Sequence, residues 1–504
     1  MEMLLYGFIH TFEPLTLLVM MVGLVGGIIL GAIPGMTGSM GIILLLPLIY
    51  KLDYAPALIT LAAMFCGAMY GGSISAILIC TPGTPSAAAT VLDGYPMAEK
   101  GQAGKALGIA VVASVAGGLF SGLCLLLIAP QLARVALSFR APEYFSLCVF
   151  GLSIIAGASG KKVLKGLISG CLGLVLATIG VDEIWGVNRF SFDIPYLTTG
   201  FELLPALIGL FAFSQIFADL PKAAKGEQFP TQEIKNVLPT REDWKRIAMP
   251  ILVGSTLGTI IGIIPGVGGA VACWMGYDLV KKLSKNKAEW GTGIPEGIAA
   301  PESANNGTTG GAMIPLLTLG IPGDSVTAVM LGALMLVGLR PGPALFINNP
   351  EAVYTLLVAF IIMQFFILVL GLAGTRVWPL VLRVPRKILT PIIVLCCFLG
   401  AYTLANNVND AITALAFGVL GYFMSKYGFP APPMILGLIL GPMAEDNLNR
   451  AMLISNNDWS VLLKSPISLI FILLSVASLG VPILVSLRSG LKTLLAARVA
   501  PRKL

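Results

Sequence analysis

The sequence predicts an all-α polytopic membrane protein with two inverted repeats, broken or re-entrant helices and about 10–14 crossings. Three observations carry that prediction. Of 504 residues, 56% are hydrophobic and 11% charged, and the mean hydropathy is +0.90, which leaves too little polar surface to coat a soluble globule. Apolar runs long enough to span a bilayer recur along the chain. The same Pro/Gly punctuation appears twice at nearly constant offsets.

Met1 to Pro14 carries Glu2, His10 and Glu13 but no Lys or Arg, so an external N-terminus is permitted; the segment also lacks the basic start of a signal peptide. Apolar runs follow at Leu15 to Ile33, Ala55 to Cys80, Leu107 to Ile128, Phe145 to Ala158, Val163 to Ile179 and Leu203 to Leu220. The one long polar connection is Pro221 to Trp244, with Lys222, Lys225, Lys235, Arg241, Glu242 and Asp243 among its charges. Further runs cover Ile247 to Ile264, Met313 to Leu339, Ala352 to Val381, Ile388 to Ala405, Ala411 to Tyr427 and Ile467 to Leu487. Leu491 to Leu504 reads as a basic tail at the lipid surface.

Gly31, Pro34, Gly35 and Gly38 recur as Gly262, Pro265, Gly266 and Gly269, each shifted by 231 positions (31 to 262). Gly67, Gly71, Pro82 and Gly83 recur as Gly307, Gly311, Pro322 and Gly323, shifted by 240 (67 to 307). The difference between the shifts is a small insertion near Glu296. Pro205 to Leu210 has an echo in Pro433 to Leu438. The predicted organisation is repeat 1 over 15–220, a cytoplasmic linker over 221–246, repeat 2 over 247–445, and a C-terminal helix with basic tail over 446–504. Lys and Arg collect in the linker, at Lys281 to Lys287, at Arg383 to Lys387 and in the tail, which marks the cytoplasmic side. With linker and tail both inside and one extra span at the end, repeat 2 crosses an odd number of times and the repeats are inverted. Parallel repeats are the alternative if the crossing count is wrong.

Several function classes are disfavoured. The eight Cys lie in or beside apolar runs without metal-ligand spacing, and His10 is the only histidine. Metal centres and histidine relays therefore have almost nothing to work with. A membrane-embedded enzyme acting on a lipid substrate is the alternative to transport, but H-E-x-x-H and G-x-S-x-G arrangements are absent from the sequence. The basic clusters suit a lipid bilayer rather than nucleic acid.

Broken helices survive in hydrocarbon only where protein or a bound solute satisfies the freed backbone groups. The breaks are therefore the predicted substrate site: Pro34, Gly35, Thr37, Gly38 and Ser39; Gly83, Thr84 and Ser86; Pro265, Gly266, Gly268 and Gly269; Gly323 and Ser325. Thr84 before Pro85, and Asp324 after Gly323, read as helix-start caps, and an uncapped helix N-terminus suits a carboxylate. A plain surface loop, or glycines that only let helices pack closely, would give the same residues. Glu302, Asn305, Asn306 and Thr309 fall on one helical face, against Ala62, Phe65, Cys66 and Met69 in the first copy. Asn305 and Asn306 join the predicted substrate set, and Glu302, Asn306, Thr309 and Asp324 the coupling-ion set for Na⁺ or H⁺. An exposed helix start is the alternative for Glu302. The groups Asn406 to Asp410 and Glu445 to Arg450 read as caps and surface turns, and Arg340 as an interface anchor.

Gly31-Ala-Ile-Pro34-Gly35, Ala300-Pro-Glu302-Ser-Ala-Asn305-Asn306 with Gly310-Gly311, Ile314 to Gly323, and Gly437-Leu-Ile-Leu-Gly441-Pro442 with Glu445 together resemble the large membrane subunit of the tripartite tricarboxylate transporters, the TctA family. The likeness runs nearly end to end. It implies uptake of a citrate-like organic di- or tricarboxylate across a bacterial inner membrane by Na⁺ or H⁺ symport, without a cofactor. It also implies two partners, a small four-helix TctB-like membrane subunit and a TctC-like periplasmic solute-binding protein. Asp324 departs from the small neutral residue expected at that place, which suits a cap or a cation ligand better than a carboxylate receptor.

Overall fold

The computed structural model describes residues 2–158, 163–182, 184–223, 234, 237–381 and 386–480. Residues 224–233, 235 and 236 of the predicted linker and the whole basic tail lie outside the described residues. The all-α membrane class is what the chain adopts: regular structure is almost entirely helical, and the described sheet is one two-stranded hairpin. Six described helices are long and apolar enough to cross a membrane, and several apolar helices of 10–17 residues accompany them.

The chain divides into two compact units, Met1–Ser138 with Glu202–Phe423, and Phe139–Phe201 with Met424–Leu504. The first begins with α1 (Glu2–Thr11), α2 (Pro14–Ala32), α3 (Gly38–Ile49), α4 (Tyr54–Ile79), α5 (Val91–Met97) and α6 (Ala103–Ala136). It resumes, after α7 (Ala141–Ala158) and α8 (Val163–Ala177) of the second unit, with α9 (Leu203–Leu207) and α10 (Ser214–Ala223). Then come α11 (Arg241–Ile263), α12 (Gly268–Leu283), α13 (Glu296–Leu319), α14 (Ser325–Leu336), α15 (Leu345–Asn348), α16 (Pro350–Ala373), α17 (Trp378–Val381), α18 (Arg386–Ala405) and α19 (Val408–Tyr427), whose last turn passes the boundary. Local chemistry sets the ends. Pro14 and Pro350 stand in the first turns of α2 and α16, a Thr240–Asp243 capping box opens α11, and Gly320 in a left-handed conformation (φ 71°) closes α13.

Between lipid-embedded helices there is little hydrophobic driving force, so close backbone approach through small residues holds them together. Helices α2 and α4 meet this way: a Cβ on Gly23, Gly27 or Gly31 would run into the carbonyl oxygens of Thr60, Met64 and Ala68, and one on Gly67 or Gly71 into those of Leu24 and Ile28. Helices α11 and α13 do the same. Gly254, Gly258 and Gly262 face the carbonyls of Ala300, Ala304 and Thr308, while Gly307 and Gly311 face those of Ser255 and Thr259. Every one of these contacts in α11 and α13 is the contact in α2 and α4 displaced by the sequence offsets of 231 and 240.

Several sequence expectations need correction. The apolar run Met313 to Leu339 holds two helices rather than one, in keeping with the break expected at Pro322-Gly323: Gly320 ends α13 and α14 starts anew at Ser325. Helices α3 and α20 (Ala431–Ile454) were not among the predicted runs, although α3 is a 12-residue apolar half-helix. Glu445 to Arg450 is not a surface turn but lies inside α20. Thr84 makes no capping bond, and only a three-residue 3-10 turn, Pro85–Ala87, follows it.

The second unit consists of α7 (Ala141–Ala158), α8 (Val163–Ala177), the hairpin β1 (Gly180–Val181) and β2 (Asn188–Arg189), then α20 and α21 (Val461–Lys464), and a last helix over Pro466–Gly480. Gly173 and Gly437 bring α8 and α20 into backbone contact. Arg189 of the hairpin binds Glu445 of α20, Nη2 to Oε2 at 3.1 Å, and Asp182 at 3.3 Å.

Candidate functional site

The four helix breaks come together within the first unit. The two opening breaks share one backbone form: Ile33 N–H donates to Leu30 and Ile264 N–H to Ile261, and the next glycines, Gly35 and Gly266, take φ of 89° and 80°. Only glycine holds such a φ without strain. The closing breaks lie directly against them. Gly83 sits so near the Gly31 carbonyl that a Cβ would overlap its oxygen, Gly323 stands 2.7 Å (as a would-be Cβ) from the Gly262 oxygen, and Gly266 N–H donates to the Gly323 carbonyl at 2.8 Å.

Contacts also join the first copy to the second. The Ser39 hydroxyl donates to the Ser325 carbonyl at 3.2 Å, and Gly38 faces Val326. Gly269 faces Met69 and Ser86 of the first copy as well as Asn305 of its own, and within the second copy Gly268 faces the Cβ of Asp324. Pro34 and Pro265 are buried, whereas Gly35, Thr37, Gly266 and Ser325 keep partial exposure and form the rim. Close helix packing, one alternative for these glycines, is therefore real at Gly31, Gly83, Gly262 and Gly323, but it does not account for the left-handed turns.

The helix starts at this cluster are unequal. Thr37 accepts from Met40 N–H at 3.3 Å, so α3 is capped. Asp324 caps α14 thoroughly, its Oδ1 accepting from Val326 N–H (3.0 Å), Thr327 N–H (2.8 Å) and the Thr327 hydroxyl (2.8 Å). The carboxylate thus occupies the donors that an incoming anion would use. Helix α12 has no side-chain cap, and its first residues are Gly268 and Gly269. Its start therefore keeps the positive dipole end of an uncapped helix, the kind of helix end that favours an anion.

The polar face of α13 does not act as one group. Asn305 points to the breaks: its amide donates to the Met69 carbonyl at 3.1 Å, and its Oδ1, buried beside Gly269, has no hydrogen-bond partner. The Met69 carbonyl fixes that orientation, since a flipped amide would set two acceptors against each other. Near it, the Thr84 and Ser86 hydroxyls pair at 3.1 Å. Glu302, fully buried in α13 rather than at an exposed start, turns elsewhere and accepts from the hydroxyls of Thr90 (2.5 Å) and Ser114 (3.1 Å). Asn306 and Thr309 bond their own helix, to the carbonyls of Glu302 (3.1 Å) and Asn306 (2.6 Å). No hydrogen bond of Asp324 reaches Glu302, Asn306 or Thr309, so the expected coupling-ion set is split over separate places.

Thr90 and Ser114 were missed by sequence reasoning, as was Asp93. Single small hydroxyls in apolar runs give no pattern to read, but an Asp inside Val91-Leu-Asp93-Gly94 is a signal, because a lone carboxylate there needs donors. It has them. Asp93 is fully buried and accepts from the N–H groups of Gly291, Gly293 and Ile294 (2.8 to 3.1 Å) and from the Tyr277 hydroxyl at 2.9 Å. It clamps α5 to the loop before α13. Asp93→Asn places an amide donor among these donors, so the melting temperature of the detergent-purified protein is expected to fall by the equivalent of roughly 3 kcal/mol. An unchanged melting curve would show that the clamp carries no stability.

Comparison with known proteins bears on this cluster. Residues 17–436 match the family described as the tripartite tricarboxylate transporter TctA family. An uncharacterized 52.8 kDa protein in the TAR-I ttuC' 3'region of Agrobacterium vitis is 37% identical over 483 residues, 96% of each chain. An uncharacterized protein in the TAR-II ttuC' 3'region of the same organism is 37% identical over 232 residues, 46% of this chain and 96% of its own. No solved structure matches.

Proposed function

This chain belongs to the tripartite tricarboxylate transporter TctA family, and from that premise we propose that it is the large membrane subunit of an importer that takes an organic di- or tricarboxylate, citrate-like in class, across a bacterial inner membrane by Na⁺ or H⁺ symport. The observation that carries the reading is the meeting of four helix breaks around the uncapped start of α12, beside the partnerless Asn305 oxygen. A buried acceptor without a donor costs about 1–3 kcal/mol. A carboxylate on the α12 N–H groups with its accompanying cation or water at Asn305, Ser86 and Thr84 would relieve both deficits.

Several features support the finer parts. The repeated glycine contacts support two related repeats. Helix α4 starts at the face lined by Asp53 and Glu351, whereas α13 starts at the face where Lys100 bonds the Thr292 carbonyl and Lys105 pairs with Asp243; opposite courses of matched helices favour inverted repeats, and the basic face is then cytoplasmic. Rigid motion of the cluster against its surroundings gives alternating access of an elevator kind. The family's tripartite nature supports a TctB-like small subunit and a TctC-like periplasmic binding protein as partners. Glu302, buried between two hydroxyl donors with no cationic partner, is the coupling residue in this reading.

The test is uptake into proteoliposomes containing both membrane subunits and the cognate binding protein, run over a panel of di- and tricarboxylates with imposed Na⁺ or proton gradients. Concentrative uptake of at least one carboxylate, lost when the driving gradient is collapsed, is expected. Gradient-independent equilibration would indicate a channel, and no uptake of any carboxylate would remove the assignment.

A further inference from the structure

A cavity of about 540 Å³ opens where α1, the start of α2, the α3–α4 turn and the start of α16 meet. None of its lining residues belongs to the helix breaks, and four of its polar lining residues, Tyr6, His10, Glu13 and Thr16, precede residue 17, where the family match begins. Its charge is one-sided: Glu13, Asp53 and Glu351 line it, and His10 is the only basic side chain. Three carboxylates repel an anionic cargo, so the cavity is no waiting room for the proposed substrate.

Its acids are only partly committed. Glu13 and Asp53 stand at the N-cap positions of α2 and α4, yet neither side chain makes a capping bond. Glu13 lies 2.5 Å from His10 Nδ1, and Glu351 accepts from the Tyr6 hydroxyl at 3.1 Å. Thr16, 2% exposed, lines the same wall, and its hydroxyl has no hydrogen-bond partner among the described residues. No three His, Cys, Asp or Glu of the described residues gather closely enough to hold a metal ion. The wall therefore offers spaced acceptors, an unused buried hydroxyl and the rings of Tyr6 and Tyr54, which suit an extended cation better than a bare one.

We propose that this cavity binds a small organic cation bearing ammonium or guanidinium groups, received by Glu351 and Asp53 with the Thr16 hydroxyl as a further acceptor. Agmatine, which carries one group of each kind, is the probe. Calorimetric titration of the full-length, detergent-purified protein at low ionic strength should show one saturable site. Glu351→Gln and Asp53→Asn, on separate elements, should each weaken it roughly tenfold, and added NaCl should weaken it further. Glu351→Gln leaves the Tyr6 hydroxyl an acceptor, and melting curves of both variants check the fold. Absence of a saturable site in the parent protein, or unchanged affinity in both folded variants, would overturn the proposal.

Discussion

Glu302→Gln is expected to lower gradient-driven uptake by at least about 100-fold, equivalent to roughly 2.7 kcal/mol, while the protein still folds and inserts. The reason is the character of its surroundings. The carboxylate is fully buried and is held by the Thr90 and Ser114 hydroxyls. A glutamine fits the same space: its oxygen still accepts from Thr90, and its amide donates to the Ser114 oxygen. What disappears is the ability to change charge or to neutralise a cation inside the protein, where an uncompensated charge is costly. Exchange of labelled for unlabelled carboxylate, which needs no net ion movement, should survive in this variant. Glu302→Ala is the contrasting change, because it leaves two buried hydroxyls without their acceptor and should lower the melting temperature as well. Parent-like uptake with parent-like ion dependence in the inserted Gln variant would take Glu302 out of the coupling mechanism.

The second large effect is expected at Gly83. A Cβ there overlaps the Gly31 carbonyl oxygen and also meets the Ser75 hydroxyl oxygen at 2.8 Å and Gly72 Cα at 3.0 Å. Two of these neighbours are backbone atoms of α2 and α4, which cannot swing aside as a side chain can. Gly83→Ala must therefore push the closing break away from the opening break, at a cost of about 3 kcal/mol or more, and it should abolish uptake even where some protein remains folded. Gly26→Ala is the matched control. The nearest atom to its Cβ is the Met64 Cε at 3.1 Å, the far end of a flexible side chain, so stability and uptake should stay close to those of the parent. Equal behaviour of the two alanines would show that the breaks need no close approach.

Much of this was legible beforehand because it depends on local pattern. The breaks at Pro34-Gly35 and Pro265-Gly266 could be placed because Pro and Gly act on their own backbone, and the positive φ of Gly35 and Gly266 follows from that. Asp324 as a cap was equally readable, since the cap and the amides it serves are neighbours in sequence. Thr84 misled for the complementary reason: a capping hydroxyl before Pro85 is a good local signal, but tight packing behind Gly72 and the pairing with Ser86 decided its place.

Helical periodicity also overreached at Glu302, Asn305, Asn306 and Thr309. It correctly put them on one face of α13, yet a face is wide enough for neighbours to meet different helices. Asn305 meets α4 and α12, Glu302 meets Thr90 and α6, and Asn306 and Thr309 fold back on their own carbonyls.

The sequence by itself determined the membrane class, the family, and where the helices break, because hydropathy, motif and Pro/Gly chemistry act over short stretches of chain. Tertiary structure alone decided that all four breaks meet, that α12 is the uncapped helix start, and that Asp93 and Glu302 find their donors far away in sequence. Those are matters of which carbonyl, amide or hydroxyl comes within about 3 Å of which other, and packed helices set that distance.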